Sequence, residues 1–317
     1  MYHMHREREE FTMKTIKNGV WPVMITPFTA DNKIDWEGVQ KIIDWYDKEG
    51  VTGIFAVCQS SEMFHLSKQE RYDLAKFVID NTPKHMGVVV SGHVAEKVED
   101  QIAEAQAIVD AGADSYVFIS NQFAREDESE DVAKERIEYL IKHIEADSFG
   151  VYECPHPYKR VLSADLLKWI AGTGKFAFLK DTCCDLSQIK AKCEAVKGTG
   201  LKIFNANAAT LLESLRMGCA GYSGVMANFH ASLYAWLVDN YEKEPARAEE
   251  LMDFIGAASM VECQVYPVNC KYHMNLMGVK MDLMTRTKDA ALLTGSKKLE
   301  IDQFYNIEQR YIKHFFG

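Results

Sequence analysis

The 317-residue sequence contains no apolar run long enough to cross a bilayer, which excludes a class built on membrane-spanning helices. It is also short of positive charge. Against 46 Asp and Glu there are 36 Lys and Arg, a formal net charge of -10. A nucleic-acid partner needs a basic face to meet phosphates, and this balance excludes one. None of the eight cysteines forms a C-x-x-C pair, and Cys183 and Cys184 are adjacent, a spacing that suits neither a structural zinc site nor an easy disulfide. The opening MYHMHREREE is charged and lacks the apolar core of a secretory signal. Together with thiols of a reduced kind, this points to a cytoplasmic protein. Residues 1–18 read as a solvated N-terminal arm that could join an oligomer contact.

What is present is alternation. With 47% hydrophobic residues the chain can bury a large core. Short β-branched or aromatic runs are followed, again and again, by segments of helical period. Expected strands run over Val20–Thr26, Gly53–Val57, Met86–Ser91, Ser115–Ser120, Phe149–Glu153, Phe176–Lys180, Lys202–Asn205 and Gly221–Val225. Expected helices include Asp35–Lys48, Ser67–Asn81 with a Ser67/Glu70 capping box, and Leu186–Val196. Beyond His230 only helical signals remain, among them an apolar stretch over Tyr266–Met281 that reads as packing. Eight β-then-α units predict a (β/α)8 TIM barrel over residues 19–228 with a C-terminal helical region over 229–317. A doubly wound open sheet would need a Gly-rich turn after the first strand, and Thr26-Pro27-Phe28 is not one.

Chemistry in such barrels sits at the C-terminal ends of the strands. The run Phe176-Ala177-Phe178-Leu179 ends in Lys180. A lysine in a barrel mouth is desolvated, and its neutral amine can attack a ketone to give an iminium, an electron sink for C–C or C–O cleavage. A lysine merely paired with Asp181 is the competing reading. Tyr152 ends the neighbouring strand, where its hydroxyl could transfer protons or its ring could simply pack. Ser60 and Ser61, leaving the second strand, could present hydroxyl and N–H groups to a carboxylate. Glu62 could brace that loop. Gln59, Gln122, Asn205, Asn207 and Ser223 stand at other strand ends.

In order and spacing, several segments resemble the dihydrodipicolinate synthase / N-acetylneuraminate lyase family over roughly 19–279. They are Thr26-Pro27-Phe28 with Ile34-Asp35, Gly53-Ile54, Ser60-Ser61-Glu62 and Leu66-Ser67-x-x-Glu70-Arg71. Gly112-Ala113-Asp114, Tyr152-x-x-Pro155, Leu179-Lys180-Asp181, Gly218-x-x-Gly221 and Ala227-Asn228 complete them. The resemblance implies that Lys180 forms a Schiff base with a 2-keto acid, that Tyr152 relays protons, and that Ser60 and Ser61 hold the carboxylate. It implies no metal or organic cofactor, and a homo-oligomer, dimer or tetramer.

The departures bear on substrate. Gln59 stands where the synthases have a proton-relaying threonine, Asn121-Gln122-Phe123 where they have P-Y-Y, and His156-Pro157-Tyr158-Lys159-Arg160 displaces their arginine. Amides at Gln59, Gln122, Asn205 and Asn207 suit hydroxyls, so a 2-keto-3-deoxy sugar acid or related oxo acid is expected, cleaved or dehydrated. Condensation of pyruvate with aspartate semialdehyde is the alternative. Three other readings compete: a thiolate metal site from Cys58, Cys154, Cys183 and His156, a phosphate site at Gly218–Gly221 with Gly224, and a non-catalytic keto-acid sensor. Small apolar packing explains the cysteines more simply. No Arg or Lys follows the glycines before His230, and the presence of both Lys180 and Tyr152 favours an enzyme.

Overall fold

A computed structural model describes residues 14–317. Its strands are β1 (Gly19–Val20), β2 (Gly53–Ala56), β3 (Gly87–Val90), β4 (Ser115–Ile119), β5 (Phe149–Tyr152), β6 (Phe176–Asp181), β7 (Lys202–Asn205) and β8 (Gly221–Tyr222). Between them run α1 (Trp36–Lys48), α2 (Lys68–Asn81), α3 (Val98–Asp110), α4 (Glu130–His143), α5 (Ala164–Gly172), α6 (Leu186–Val196) and α7 (Leu211–Arg216). All neighbouring strands are parallel, in the order β1-β8-β7-β6-β5-β4-β3-β2, and a Val23–Phe55 bridge joins the two ends. The expected (β/α)8 barrel is the fold. Among the described residues no helix is long and apolar enough to cross a membrane.

Most strands fall a residue or two short of the expected spans, and two, β1 and β8, are cut to two residues each. Pro22 has no N–H for the ladder, so β1 is regular for two residues only, although Phe55 N–H still donates to the Pro22 carbonyl. After Tyr222 the chain turns, and Val225–Asn228 forms a 3-10 turn where strand was expected to Val225. A side chain on Gly221 would fall on the Gly19 carbonyl, so the β1–β8 seam closes only through glycine. That close approach accounts for Gly221 without a phosphate.

Aromatic rings fill the interior. Phe178 and Phe204 stack at 4.7 Å, and Trp21 meets them edge-on at 5.9 and 6.0 Å. A register irregularity between Phe149 and Gly150 separates Phe176 from this layer. Phe176 instead packs 5.7 Å from Phe149, which lies 5.3 Å from Phe118, while Phe178 and Lys180 face inward.

The C-terminal region adds α8 (Ala231–Asn240), α9 (Pro245–Ala258), α10 (Val268–Leu276) and α11 (Gly295–Phe316). Leu233, Tyr234, Leu237, Phe254 and Phe304 bury in the same apolar cluster as the barrel. Glu308 of α11 lies buried between His230 and His273, at 3.2 and 2.7 Å. The helix expected over Tyr266–Met281 is helical only over Val268–Leu276, because Pro267 sits before its first turn and Tyr266 turns to the barrel mouth. Of the expected solvated arm, residues 1–13 lie outside the described residues. Ile16 is buried, so the arm's last part belongs to the core.

One residue fastens this region across the top of the barrel. Arg286 makes two bonds to Glu70, at 2.6 and 2.9 Å, donates to Asn32 Oδ1 and the His65 carbonyl, and lies over the Phe28 ring. Arg286→Ala is expected to lower the unfolding free energy by about 2 kcal/mol, read by urea denaturation. The guanidinium holds the Glu70 carboxyl down, from 4.5 to about 2. A depressed carboxyl adds stability that is complete above 4.5 and is lost as pH falls toward 2, so the gap between variant and wild type should shrink over that window.

Candidate active site

Lys180 on β6 lies in register with Tyr152 on β5. Residues two apart on a strand share a face, so Lys180 stands directly above Phe178 and its aromatic layer. Its Nζ sits 4.2 Å from the centre of the Tyr152 ring, and that ring rests edge-on against Phe55 at 5.7 Å. Lys180 is 5% exposed and Tyr152 4%. An ammonium held on aromatic rings loses its hydration, so burial lowers the Lys180 pKa, only partly opposed by Cys58, Cys154 and Glu262. A larger share of nucleophilic neutral amine follows. Burial pushes the Tyr152 phenol well above its ordinary range. Its hydroxyl donates to Gln59 Oε1 at 3.4 Å, and the Cys154 thiol donates to the same oxygen at 3.4 Å.

The next residue on each strand points the other way, into the wall. Glu153 and Asp181 converge on Lys192 of α6, all three buried, with Glu153 Oε1 2.6 Å from Lys192 Nζ and Asp181 Oδ2 closer still. Glu153 also accepts from Thr182 N–H and Leu162 N–H, each at 2.9 Å, and Asp181 accepts from Cys183 N–H at 3.0 Å. Burial and the Asp181 charge raise the Glu153 carboxyl above the ordinary range, against the pull of Lys192. This cluster pins the ends of β5 and β6, and so the spacing of Tyr152 and Lys180. The pairing of Lys180 with Asp181 weighed from the sequence does not occur; the partner of Asp181 is Lys192.

The cavity above Lys180 has a volume of about 380 Å³, within the size range of small-molecule sites. Gln59, Ser60 and Asn207 line it, as expected. The Ser60 N–H makes no hydrogen bond among the described residues, and the Ser60 hydroxyl lies beside the Tyr266 hydroxyl. Asn207 Oδ1 accepts from Thr210 N–H at 3.0 Å, capping the short turn that leads into α7.

Four expected residues are placed elsewhere. Ser61 donates its hydroxyl to the Met24 carbonyl at 2.6 Å, which ties the loop to the chain after β1, while it accepts from Cys58 N–H and gives its own N–H to the Cys58 carbonyl within the loop. Asn205 pairs with Asp181, outside the barrel, and donates to Thr210 and Ser214 at 3.0 Å each. Ser223 donates to the Trp21 carbonyl at 2.8 Å and is fully buried. Gln122 ends a 3-10 turn that carries the chain outward, to a separate groove shared with Arg125, Tyr139 and Tyr158.

Other residues reach the cavity without a signal at any strand end. Glu262, Tyr266, Thr287 and Lys288 come down from the C-terminal region, and Lys159 from the loop after β5. Glu62 accepts from the N–H groups of Arg286 and Thr287, at 2.6 and 2.8 Å, which holds that roof in place. It braces a remote segment, where the sequence suggested only its own loop. Cys58 and Cys154 are buried and His156 is exposed. The described residues contain no group of three or more His, Cys, Asp or Glu able to share a metal.

The sequence model of the dihydrodipicolinate synthetase family matches residues 17–299. The chain belongs to that family. It is 23% identical over 262 residues to the 4-hydroxy-tetrahydrodipicolinate synthase of Methanothrix thermoacetophila, covering 81% of this chain and 86% of that one. It is 28% identical over 187 residues to YagE of Escherichia coli K12, a provisionally named 2-dehydro-3-deoxy-D-gluconate aldolase, covering 57% and 59%. The crystal structure of YagE in complex with pyruvate superposes with a TM-score of 0.83 at 21% identity, over 92% of this chain and 98% of that one. CdNal from Clostridium difficile in complex with mannosamine gives 0.81 at 16% identity, over 92% and 99%. Members of the dihydrodipicolinate synthetase family are lyases of the class I aldolase type, and this chain is an enzyme of that type.

Removing Lys192 would leave two buried carboxyls without their cation. Lys192→Met is expected to cost about 3–5 kcal/mol of stability, measured by chemical denaturation.

Proposed function

We propose that the protein is a Schiff-base aldolase that cleaves a 2-keto-3-deoxy sugar acid into pyruvate and an aldehyde, with Lys180 as the amine and Tyr152 as a proton-transfer group. The observation that carries this reading is the desolvated Lys180 amine, 4.2 Å from the Tyr152 ring, in the cavity at the barrel mouth. The neutral amine attacks the 2-oxo carbon, the carbinolamine loses water, and the resulting iminium draws electrons from the bond beyond C3. The Ser60 N–H and hydroxyl receive the C1 carboxylate, while Gln59 and Asn207 bond hydroxyls further out. Ser61 holds the loop that presents Ser60.

YagE, named for a 2-dehydro-3-deoxy-D-gluconate aldolase and solved in complex with pyruvate, supports this substrate class. The synthases among the relatives favour a second reading, condensation of pyruvate with aspartate semialdehyde. Against it, Gln59 carries an amide where the synthases' proton relay uses a hydroxyl, and Phe123 is buried against Phe118 and His93. A homo-oligomer, dimer or tetramer, belongs to the same proposal and is read by light scattering.

Incubation with pyruvate and borohydride is expected to leave a reduced pyruvyl adduct on wild type and none on folded Lys180→Ala, by intact mass. Because burial lowers the Lys180 pKa, the rate of adduct formation should rise with pH through an inflection below the ordinary 10.5. An adduct on Lys180→Ala, or none on wild type, would sink the assignment.

A further inference from the structure

Outside the strand barrel two thiols meet. Cys193 of α6 and Cys219, in the turn between α7 and β8, place their sulfurs 3.7 Å apart. No other two thiols among the described residues share such a contact. Cys193 lines a groove of about 580 Å³ together with Lys197, Met217, Gly218 and Ala220, and Cys219 does not reach it. An oxidant entering the groove therefore meets Cys193 first.

The two thiols are unequal. A hydrogen bond from Cys219 favours the thiolate of Cys193 and lowers its pKa, against burial and the charges of Asp181 and Glu194. Lys192, the preceding residue, adds a cation on the lowering side. The same bond, together with burial, pushes the Cys219 thiol up, so Cys219 keeps its proton. Burial raises the Cys154 thiol to about 11 and the Cys183 thiol to about 12, which leaves both poor nucleophiles.

We infer that Cys193 and Cys219 are a redox pair: a hydroperoxide oxidises Cys193, and Cys219 closes a reversible disulfide that draws on α6 and slows the chemistry at Lys180. The effect on Lys180 rests on the Schiff-base reading above; the disulfide itself does not. The Cys193 thiolate attacks one peroxide oxygen, the O–O bond breaks, and the departing hydroxide takes the thiol proton and leaves as water. The Cys219 sulfur then attacks the Cys193 sulfenic sulfur, the S–O bond breaks, and hydroxide leaves as water with the Cys219 proton. Two thiols and hydrogen peroxide become a disulfide and two waters, with two electrons passing from sulfur to oxygen. A small dithiol reverses the bond by exchange.

Closing that bond brings the sulfurs from 3.7 Å to about 2.05 Å. The turn that carries Cys219 is already held. Gly218 N–H donates to the Leu215 carbonyl at 3.0 Å, Cys219 N–H to that of Ser214 at 2.9 Å, and Ala220 N–H to that of Ile203 on β7 at 2.7 Å. The approach therefore falls on α6. Lys192 precedes Cys193 there, and its amine is the cation between Glu153 and Asp181. Drawing it off those carboxyls loosens the ends of β5 and β6, and with them Tyr152 and Lys180.

Reduced wild type, Cys193→Ser and Cys219→Ser are treated with a small excess of hydrogen peroxide and compared before and after dithiothreitol. Wild type is expected to lose two hydrogens in intact mass, to show a 193–219 cross-link in its peptide map, and to regain the hydrogens on reduction. Its rate of borohydride-trapped pyruvate adduct formation should fall at least about threefold on oxidation and return with dithiothreitol, while both variants change by less than about twofold. Cys219→Ser should gain only oxygen on Cys193. Wild type that gains only oxygen, or that cross-links other cysteines, overturns the pair. A 193–219 disulfide with an unchanged adduct rate overturns the coupling through Lys192. So does equal inhibition of Cys193→Ser, which would place the damage on Cys58 and Cys154, the thiols whose charge acts on Lys180. No adduct on reduced wild type overturns the proposed function, and the peptide map alone then decides the pair.

Discussion

The arrangement depends on one buried ion cluster, Lys192 between Glu153 and Asp181. A strand shows alternate faces, so a residue pointing into a barrel is followed by one pointing into its wall. On β5 and β6 the inward residues are Tyr152 and Lys180, and the outward ones are Glu153 and Asp181. The wall residues must be charged partners for Lys192 or they would be buried without compensation. Their backbone contacts, Thr182 and Leu162 to Glu153 and Cys183 to Asp181, extend the restraint to the loops on both sides. Lys180 and Tyr152 are therefore positioned from behind, by groups that never face the cavity.

The floor and the roof do different work. Below, Phe178, Phe204, Trp21 and Phe55 exclude water and offer no dipole to an ammonium beyond the Tyr152 ring face. This makes charged Lys180 costly, which a nucleophilic amine needs. Above, Arg286 and Glu62 fasten residues 286–288 across the mouth through Glu70, Asn32 and backbone N–H groups. The roof brings polar and charged side chains to a cavity whose base is apolar. In the proposed aldolase, amine activation and substrate recognition thus come from opposite ends of the same space.

Much of this was legible in the sequence, and the misses share physical causes. The period-2 runs and capped helices gave the barrel, with Ser67/Glu70 forming the expected capping box and α6 beginning and ending as read. Lys180 and Tyr152 were visible because an amine and a phenol each close an apolar run. Asn205 was misplaced because being at a strand end does not say which face a residue takes; its pairing with Asp181 puts it outside. Gln122 ends a 3-10 turn that no strand pattern announces. Ser61 and Ser223 looked free as sequence, yet their hydroxyls satisfy the carbonyls of Met24 and Trp21, acceptors contributed by remote segments. Glu262, Thr287 and Lys288 lie far along the chain from every strand, where only tertiary packing could bring them to the mouth.

That division has a consequence for how such a site acquires its substrate. A change at Lys180, Tyr152 or the residues behind them alters the geometry on which the proposed iminium formation rests, and Lys192 makes those positions interdependent. A change at Asn207, Glu262, Thr287 or Lys288 touches neither the aromatic layer nor the ion cluster. These residues line the same cavity, and in the proposed reaction they are left to meet the atoms beyond C3 of the keto acid. In the proposed reaction the wall holds the chemistry common to the family, while the part of the substrate that varies meets a loop end and a helical extension. The C-terminal region is then more than a cover for the barrel side, because its 3-10 turn brings Glu262 and its Arg286 segment brings Lys288 to a cavity that Lys159, Lys180 and the backbone-bonded Glu62 also line.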